Sequence, residues 1–544
     1  MTAPAADRGA VTAQGRGAGG IGRPALLIGL ITGVANVVGF GRQLVFAHTV
    51  GATPLGTAYA TANQVPNIIY AIVLGGALTG MVVPVLAGPA LAGAKAEARQ
   101  TSSALLTWTL LLLVPVSLAV ALAARPIVSV LLGGAHGGAA AGMLAVGSRM
   151  LAVFAPQIVL YGLAVVGYGI LQAHRRFLFP ALAPVLSSVV VAAAYVAFVP
   201  LAHGRGVTGL PRPAELMLSV GTTAGVAALA VMALAPVRRL GLRLRPALRF
   251  PPGVAARVRA LALAGLAAVI AQNVSTVVVI VLANARGGPG ALVLYNYGWQ
   301  VFFVPYAVLA VPIATSAFPV LSASAQDGGE DFDTAAASST SAAALVSWLG
   351  AALLAGACVP AARVFVTHDP AGARELAWTL AAFAPGLAGF GLAANLSRVL
   401  FACARTRVAA AAITGGWLLV IAADLVIVPL VAGRWVVPAL GLGNSIGLTM
   451  AGIALLAAVR RARGGGALRG VSRAVAAGLA GALAGAAAGA GVSAALPVTG
   501  FLPNAAVVLL ACACTVLAFG LVVLAVDGGE LRSLVSRARS RLAR

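Results

Sequence analysis

The sequence predicts an all-α polytopic membrane protein with about fourteen transmembrane helices, and three observations lead to that fold class. Of its 544 residues, 61% are hydrophobic and only 9% are charged, and the mean hydropathy is +1.01. A soluble domain carries roughly a quarter of charged residues, so this chain has too few to cover a water-facing surface. Apolar runs long enough to cross a bilayer, about 20 residues, recur along the whole chain. The basic residues gather between those runs.

The apolar runs are separated by polar residues, glycine or proline, and we number them as spans one to fourteen in chain order. They lie near residues 25–48, 59–90, 102–123, 149–172, 178–201, 214–237, 258–284, 291–322, 339–362, 376–402, 408–431, 436–459, 474–496 and 501–526.

The net charge of +24 follows from membrane topology and not from nucleic-acid binding, which requires a basic patch on a soluble face. With a cytoplasmic N-terminus, the fourteen spans return the C-terminus to the cytoplasm. The predicted inner segments then hold 26 lysines and arginines, and the outer segments hold seven. The excess on the inner side agrees with the positive-inside rule, although the inner loop 323–338 carries no basic residue. We therefore expect both termini in the cytoplasm.

Weak internal similarity predicts two lobes of six spans. The motif Val83-Pro-Val-Leu86 recurs as Phe318-Pro-Val-Leu321, and two further pairs of segments share nearly the same offset. Parallel repeats of six spans are typical of transporters that handle a substrate between the halves. The predicted organisation is a disordered cytoplasmic tail (1–24), an N-lobe (25–237), a basic cytoplasmic inter-lobe linker (238–257), a C-lobe (258–461), spans thirteen and fourteen (462–526) and a basic cytoplasmic tail (527–544).

The sequence contains no motif of an enzyme active site. There are five histidines, and neither a metalloprotease motif, a serine-hydrolase elbow nor a nucleotide-binding phosphate loop occurs. The four cysteines lack metal-ligand spacing and are expected to be free thiols. We predict a protein that is not an enzyme and has no cofactor, apart from a coupling ion considered next.

Asp424 is the one acidic residue in the middle of a predicted span. A charge at that depth costs roughly 2.5–3.5 kcal/mol on insertion scales, so a residue kept there is expected to have a functional or structural role. One interpretation is a cation or proton site, in which the carboxylate binds Na⁺ or titrates. The other is a structural contact with an arginine, serine, threonine or asparagine. Gln272 and Asn273 of span seven are candidate neighbours if spans seven and eleven touch.

Arg42 lies in span one, where two glycines flank Phe40. A guanidinium that faces an interior cavity binds phosphate through its fork of donors, whereas one near an interface snorkels to water. We place Arg42 in a cavity. The other candidate cavity residues in spans one, two and eight are polar or aromatic: Asn36, Gln64, Asn67, Trp299 and Gln300. Arg398, near the end of span ten, is a further candidate, although snorkelling is the ordinary expectation there.

Several ordered motifs resemble the opening spans of the lipid II flippases, the MurJ/MviN family, which shares a superfamily with the MATE drug exporters. They are Val38-Gly-Phe-Gly-Arg42, Val65-Pro-Asn-Ile-Ile69, Val83-Pro-Val-Leu86, Leu171-Gln-Ala-His-Arg-Arg-Phe-Leu-Phe-Pro180 and Phe318-Pro-Val-Leu-Ser322. The resemblance runs over most of residues 25–460.

The resemblance implies a V-shaped cavity between two six-span lobes, and two C-terminal spans that build a hydrophobic groove for a lipid tail. It implies a flippase in the bacterial cytoplasmic membrane that exports lipid-linked peptidoglycan precursor, lipid II, by alternating access. The implied partners are lipid II, membrane lipids and proteins of cell-wall synthesis. Some family members have a sodium site in span eleven, which favours Na⁺ at Asp424.

The sequence also departs from the family pattern at several cavity positions. Asn36 stands where an arginine is common, Thr57-Ala-Tyr59 replaces an Asp-Ala-Phe motif, and Tyr70-Ala71 replaces a basic pair. These losses of charge leave the cargo open. The alternatives are a transporter of another polyprenyl-linked glycan or of an amphipathic drug, and a membrane scaffold for cell-wall synthesis that transports nothing.

Overall fold

A computed structural model describes residues 22–73, 95–134, 138–240, 245–250, 266–325 and 329–542. The predicted tail up to residue 21, the second half of span two with its Val83-Pro-Val-Leu86 motif, and residues 241–244 and 251–257 of the predicted linker lie outside the described residues.

The described residues form helices joined by short turns, and no strand occurs among them. The helices are α1 (Gly22–Thr49), α2 (Pro54–Ile72), α3 (Lys95–Leu122), α4 (Ala124–Leu131), α5 (Ala140–Phe154), α6 (Pro156–Ala173), α7 (Leu178–Ala202), α8 (Arg212–Arg238), α9 (Leu266–Leu282), α10 (Ala291–Pro305), α11 (Val311–Ser324), α12 (Glu330–Gly356), α13 (Cys358–Phe365), α14 (Pro370–Ala402), α15 (Thr406–Ile427), α16 (Val436–Arg463), α17 (Val471–Ala495) and α18 (Phe501–Leu542).

The all-α membrane fold is confirmed. Within the described ranges, twelve helical stretches are long and apolar enough to cross a membrane, and they correspond to predicted spans three to fourteen. Predicted span one coincides with the 28-residue helix α1, and predicted span two begins with α2. The count of fourteen stays a prediction, because α2 is described only to the start of the segment 74–94.

Many of the packing contacts join helices that are not neighbours in the chain. In the first half, α1 packs on α7, α7 on α8, α2 on α5, and α6 on both α3 and α8. In the second half, α14 is central and contacts α10, α12, α13 and α16, while α15 packs on α9 and α16. The last two helices pair with each other and lie against α12. Contacts between the halves come mainly from α2, which touches α9 and α10. The boundaries of the lobes stay predictions.

Three segments differ from the expected boundaries. Helix α12 begins at Glu330, inside the predicted loop 323–338, because Glu330, Asp331 and Asp333 complement the positive end of the helix dipole. Asp333 also pairs with Arg463 of α16 at 3.0 Å. At the C-terminus, α18 continues to Leu542, so most of the predicted tail is helical. Predicted span eight is interrupted at Tyr306–Ala310 by a π-helical turn after Pro305, which removes an amide donor from the helix.

Part of the predicted linker runs along the first lobe. The backbone N–H of Ala247 donates to Thr107 Oγ1 at 3.0 Å, and the indole of Trp108 donates to the Leu248 carbonyl at 3.1 Å. Both partners belong to α3. Residues 245–250 are therefore held by side chains of a helix from the first half of the chain.

An ion pair joins α5 to the start of α8. Arg149 Nε and Nη2 donate to the two carboxylate oxygens of Glu215 at 2.7 and 2.6 Å. The Glu215 side chain is 4% exposed and that of Arg149 is 39% exposed. The bidentate carboxylate partner holds the guanidinium against the protein.

Helices α14 and α16 approach each other through glycine. A Cβ atom on Gly389 would overlap the backbone of Thr449, and one on Gly452 would lie 2.9 Å from the Gly389 carbonyl oxygen. Small residues that let two backbones meet are the usual basis of helix association in lipid. This contact fixes α14, the helix around which the second half is assembled.

Replacing Gly389 with alanine should lower the midpoint of thermal unfolding of the purified protein in detergent, because the methyl group would push α14 away from α16. Overpacking of this kind costs about 1–3 kcal/mol. The matched control is Gly415→Ala in α15, where an added Cβ meets nothing within 4 Å. Equal midpoints for the two variants would show that the glycine contact does not limit stability.

Candidate functional site

A cavity of about 180 Å³ lies between the two halves, at the meeting point of α1, α2, α7 and α10. Five of the residues predicted for a cavity line it: Arg42, Gln64, Asn67, Trp299 and Gln300. Its other walls come from Gln43, Phe46, Tyr59, Ala60, Asn63, Tyr195, Val293, Asn296 and Tyr297. Residues far apart in the sequence thus share one polar space, which we name the central cavity.

Arg42 supplies the charge of the central cavity. Among the described residues that line it, Arg42 is the only charged one. Its Nε atom is buried and has no hydrogen-bond partner within the described part of the chain. A guanidinium with donors to spare and no lining carboxylate forms a site suited to an anion, above all to a phosphate oxygen pair.

Amide side chains of α2 and α10 supply polar groups to the central cavity. Gln64 Nε2 donates to Asn296 Oδ1 at 3.4 Å, across the two halves. Asn67 Nδ2 donates to the Asn63 carbonyl at 2.9 Å, and its Oδ1 accepts from the Tyr161 hydroxyl at 3.2 Å. These groups can exchange hydrogen bonds with the hydroxyl and amide groups of a sugar or peptide.

Two predicted residues lie away from the central cavity. Asn36 is exposed and lies six residues before Arg42 on α1, which places it about 120° round the helix. Arg398 is near the end of α14, and its Nη1 is buried without a hydrogen-bond partner among the described residues. Neither is among the residues that line the cavity.

Sequence reasoning missed several lining residues. Asn63 could have been found, because Tyr59, Asn63 and Asn67 follow one another at intervals of four and so share a helix face. Tyr195 of α7 has no such signal. It reaches the cavity because its hydroxyl lies 2.7 Å from the Tyr59 hydroxyl, which also lies 2.8 Å from Thr222 Oγ1. That network depends on three helices packing together.

The two halves are joined by a row of hydrogen bonds along α2, at the end of the cavity where α1 ends and α10 begins. The backbone N–H of Gly290 donates to Thr57 Oγ1 at 2.7 Å. One turn further along, Asn284 Nδ2 donates to Thr61 Oγ1 at 3.0 Å and to the Leu131 carbonyl at 2.9 Å. We name this row the seam. Gly290 has φ +95°, and a Cβ there would meet the Ala52 carbonyl at 2.6 Å, so glycine allows the close approach.

An apolar groove of about 490 Å³ lies beside the central cavity, between α1, α10, α12, α13 and α18. Its walls are almost wholly hydrocarbon and include Phe40, Leu44, Val304, Leu353, Phe365 and Leu509. Phe40 is two residues from Arg42 on the same helix. The groove is therefore suited to an alkyl or prenyl chain that ends near the charged cavity.

Asp424 is fully buried between α15 and α16. It is 0% exposed, and neither carboxylate oxygen has a hydrogen-bond partner in the described part of the chain. A Cβ on Gly443 would overlap the carboxylate, so this glycine makes room for it. Asn444, the next residue, donates to the Tyr295 hydroxyl at 2.7 Å and keeps a buried Oδ1 without a partner. The two carboxylate oxygens, buried without a donor, are of the type that a hard cation prefers as ligands.

The predicted neighbours of Asp424 on α9 make no hydrogen bond with it. Gln272 is exposed, and Asn273 is buried but donates to the Val269 carbonyl of its own helix at 2.8 Å. Helix α9 does pack on α15. Tyr295 and Asn444, which sequence reasoning did not connect with Asp424, are closer candidates, because Gly443 lies against the carboxylate and the next residue, Asn444, donates to the Tyr295 hydroxyl.

Comparison with known proteins identifies similar sequences and folds. Residues 46–511 match the family model described as lipid II flippase MurJ. The chain is 30% identical over 311 residues to the lipid II flippase MurJ of Burkholderia cenocepacia, an alignment that covers 55% of this chain and 57% of that protein. The chain thus matches little more than half the length of this relative.

Two solved structures share the fold. A lipid II flippase MurJ in an inward closed conformation superposes with a TM-score of 0.70 at 16% identity, over 94% of this chain and all of that one. An inward-facing multidrug resistance transporter of the MATE family superposes with a TM-score of 0.63 at 15% identity, over 79% of this chain and 94% of that one.

Replacing Thr57 with valine should loosen the seam, because the buried Gly290 N–H would lose its acceptor. An unsatisfied buried donor costs about 1–3 kcal/mol, which corresponds to roughly five- to 150-fold faster local opening. Hydrogen–deuterium exchange of peptides covering residues 284–296 measures that rate. Thr49→Val is the control, since the Thr49 hydroxyl donates only within α1. Unchanged exchange in Thr57→Val would mean that the seam does not hold the halves together.

Proposed function

The chain belongs to the lipid II flippase MurJ family, and from that premise we propose that it moves lipid II from the inner to the outer leaflet of the bacterial cytoplasmic membrane. The observation that carries the proposal is a central cavity with one unpaired arginine and no lining carboxylate, beside an apolar groove. Lipid II joins a diphosphate and sugars to a prenyl chain, so its parts match these two neighbouring environments.

The diphosphate would contact Arg42, whose charge offsets the cost of bringing an anion out of water. Asn63, Gln64 and Asn67 would exchange hydrogen bonds with the sugar and peptide. The aromatic walls, Trp299 among them, would cover the apolar faces of the sugar rings. The prenyl chain would stay in the apolar groove and never meet water. At 180 Å³ the cavity holds a phosphate-sized group, so the whole headgroup requires the halves to separate.

Separation of the halves is the step that would carry the headgroup across. The seam holds α2 against the connection between α9 and α10, at one end of the cavity. Breaking it would admit water and the opposite leaflet at that end, as alternating access requires. Binding of the cargo shifts the balance between the closed and the opened seam only if the headgroup binds one of these two states more tightly than the other.

The topology predicted from the basic residues places both termini in the cytoplasm and the seam at the outer face. In that orientation the described arrangement is closed towards the outside, so cargo would enter from the inner leaflet. The protein would act by binding and moving its cargo, without covalent chemistry. Association with proteins of cell-wall synthesis would then deliver or remove lipid II at the two faces.

We propose Na⁺ as the coupling ion, bound by Asp424 with the oxygens of Asn444 and Tyr295 as further candidate ligands. Support comes from the buried, unpartnered oxygens of Asp424 and Asn444. Tyr295 lies at the start of α10, the helix that also supplies Asn296, Trp299 and Gln300 to the central cavity. An ion held there would bias the position of α10 and so the seam.

Arg42→Ala should slow flipping of fluorescent lipid II in proteoliposomes by about ten- to 150-fold, since a hydrogen bond to a charged group is worth about 1.5–3 kcal/mol. Arg42→Lys should retain part of the rate, because a point charge replaces the fork of donors. Arg205→Ala, an exposed arginine outside the cavity, is the control.

Wild-type flipping by Arg42→Ala would remove this residue from the mechanism. Absence of flipping by the wild type, in cells that still need the protein for growth, would favour the scaffold. Transport of another polyprenyl-linked glycan, but not of lipid II, would keep the transporter and change its cargo.

Asp424→Asn should abolish stabilisation by sodium. A ligand at 100 times its dissociation constant stabilises the folded state by about 2.7 kcal/mol, so NaCl should raise the unfolding midpoint of the wild type above that in choline chloride. Asp333→Asn, which alters the contact with Arg463 at the end of α16, is the control and should keep the sodium response. A sodium response that survives in Asp424→Asn would place the ion elsewhere.

A further inference from the structure

A third cavity, of about 530 Å³, lies between α13, α14 and the connection from α17 to α18. It shares no lining residue with the central cavity or the apolar groove. Its volume is in the range of small-molecule sites. We propose that this cavity binds the anionic phosphate headgroup of a membrane lipid, separately from the cargo path, with Arg363 and Arg374 as the residues that hold the phosphate.

The charged residues that line this cavity are basic, while Asp369 and Glu375 line the adjoining cavity that Arg374 also borders. Arg363 and Arg374 line the third cavity, and none of its lining residues carries a carboxylate. The ion pairs found among the described residues are Arg149–Glu215 and Arg463–Asp333, so neither arginine has a carboxylate partner there. Nearby Asp369 is the N-cap of α14, and its Oδ1 accepts from the Ala371 N–H at 3.0 Å. The two guanidinium groups are therefore available to an external anion.

The remaining walls fit an amphiphile and not a free ion. Thr367, Thr499 and Asn504 add hydroxyl and amide groups, while most other lining residues are alanine, valine or proline. An inorganic anion would leave that hydrocarbon without contact. A lipid would place its phosphate between the arginines and its glycerol and first methylenes against the apolar walls.

Aromatic side chains place the cavity at the depth of lipid headgroups. Trp378 lines it and stacks on Trp435 with ring centroids 4.3 Å apart, and the Arg434 guanidinium lies 5.8 Å from the Trp378 ring. Tryptophan is enriched where hydrocarbon meets headgroups. Arg363, Arg374 and Arg434 are three of only seven basic residues in the predicted outer segments. The positive-inside rule does not account for arginines on that face, whereas an anionic headgroup does.

Native mass spectrometry of the full-length protein tests the proposal, with detergent-solubilised protein titrated with phosphatidylglycerol or with zwitterionic phosphatidylcholine. The wild type should retain one more phosphatidylglycerol molecule than the double variant Arg363→Gln/Arg374→Gln. The apparent affinity of that variant for phosphatidylglycerol should be about thirtyfold lower, because each of the two basic residues contributes about 1 kcal/mol. Phosphatidylcholine retention should be equal in the two proteins. A third titration, with a polyprenyl diphosphate, shows whether the anion comes from bulk phospholipid or from a cargo-like lipid.

Two controls separate charge from folding. Arg205→Gln/Arg212→Gln removes two exposed arginines of the same predicted face that do not line the cavity, and should bind as the wild type does. Arg363→Lys/Arg374→Lys keeps the charge and should retain most of the binding. In the wild type alone, added salt should release phosphatidylglycerol but not phosphatidylcholine. Arginine-independent retention of every anionic lipid, or retention insensitive to salt, would overturn the proposal.

Discussion

A charged side chain inside a bilayer is expensive, and this structure depends on how each such charge is accommodated. Arg149 and Glu215 neutralise each other in a bidentate pair, while the pair of Arg463 and Asp333 lies beyond the ends of the predicted spans. Arg42 and Asp424 have no such partner among the described residues. No internal contact offsets the free-energy cost of burying these two charges. An external ligand is therefore assigned to them.

Helix α2 connects the closure of the two halves with the binding space. Thr57 and Thr61 hold the seam, and Asn63, Gln64 and Asn67 lie within the next two turns and line the central cavity. Because a helix moves as a nearly rigid rod, displacement at the seam also displaces the cavity wall. Helix α10 contributes Tyr295, whose hydroxyl accepts from Asn444, the residue that follows the glycine packed against Asp424. In the proposed mechanism, cargo, coupling ion and closure would therefore all act on α2 and α10.

Arg42 and Asp424 were identifiable from the sequence, since a lone charge in an apolar run stands out whatever its neighbours are. Glu215 was not, because it lies at the edge of a run and its burial results from the approach of α5. Asn36 was assigned to the cavity by its polarity, yet its position around α1 directs it elsewhere. Tyr195 was missed because a tyrosine in a span is ordinary until another helix brings Tyr59 to it.

The sequence by itself determined the membrane fold, the positions of most helices and the importance of Arg42 and Asp424. Hydropathy and charge are properties of each segment, so they can be evaluated without knowing how the segments pack. Only the tertiary structure decided which side chains share a cavity, that α2 forms the seam with the connection between α9 and α10, and that Gly443 makes room for Asp424. Those facts depend on the close approach of separate helices, some of them hundreds of residues apart in the sequence. Small residues permit such contacts at many places, and only the packing of the whole chain selects among them.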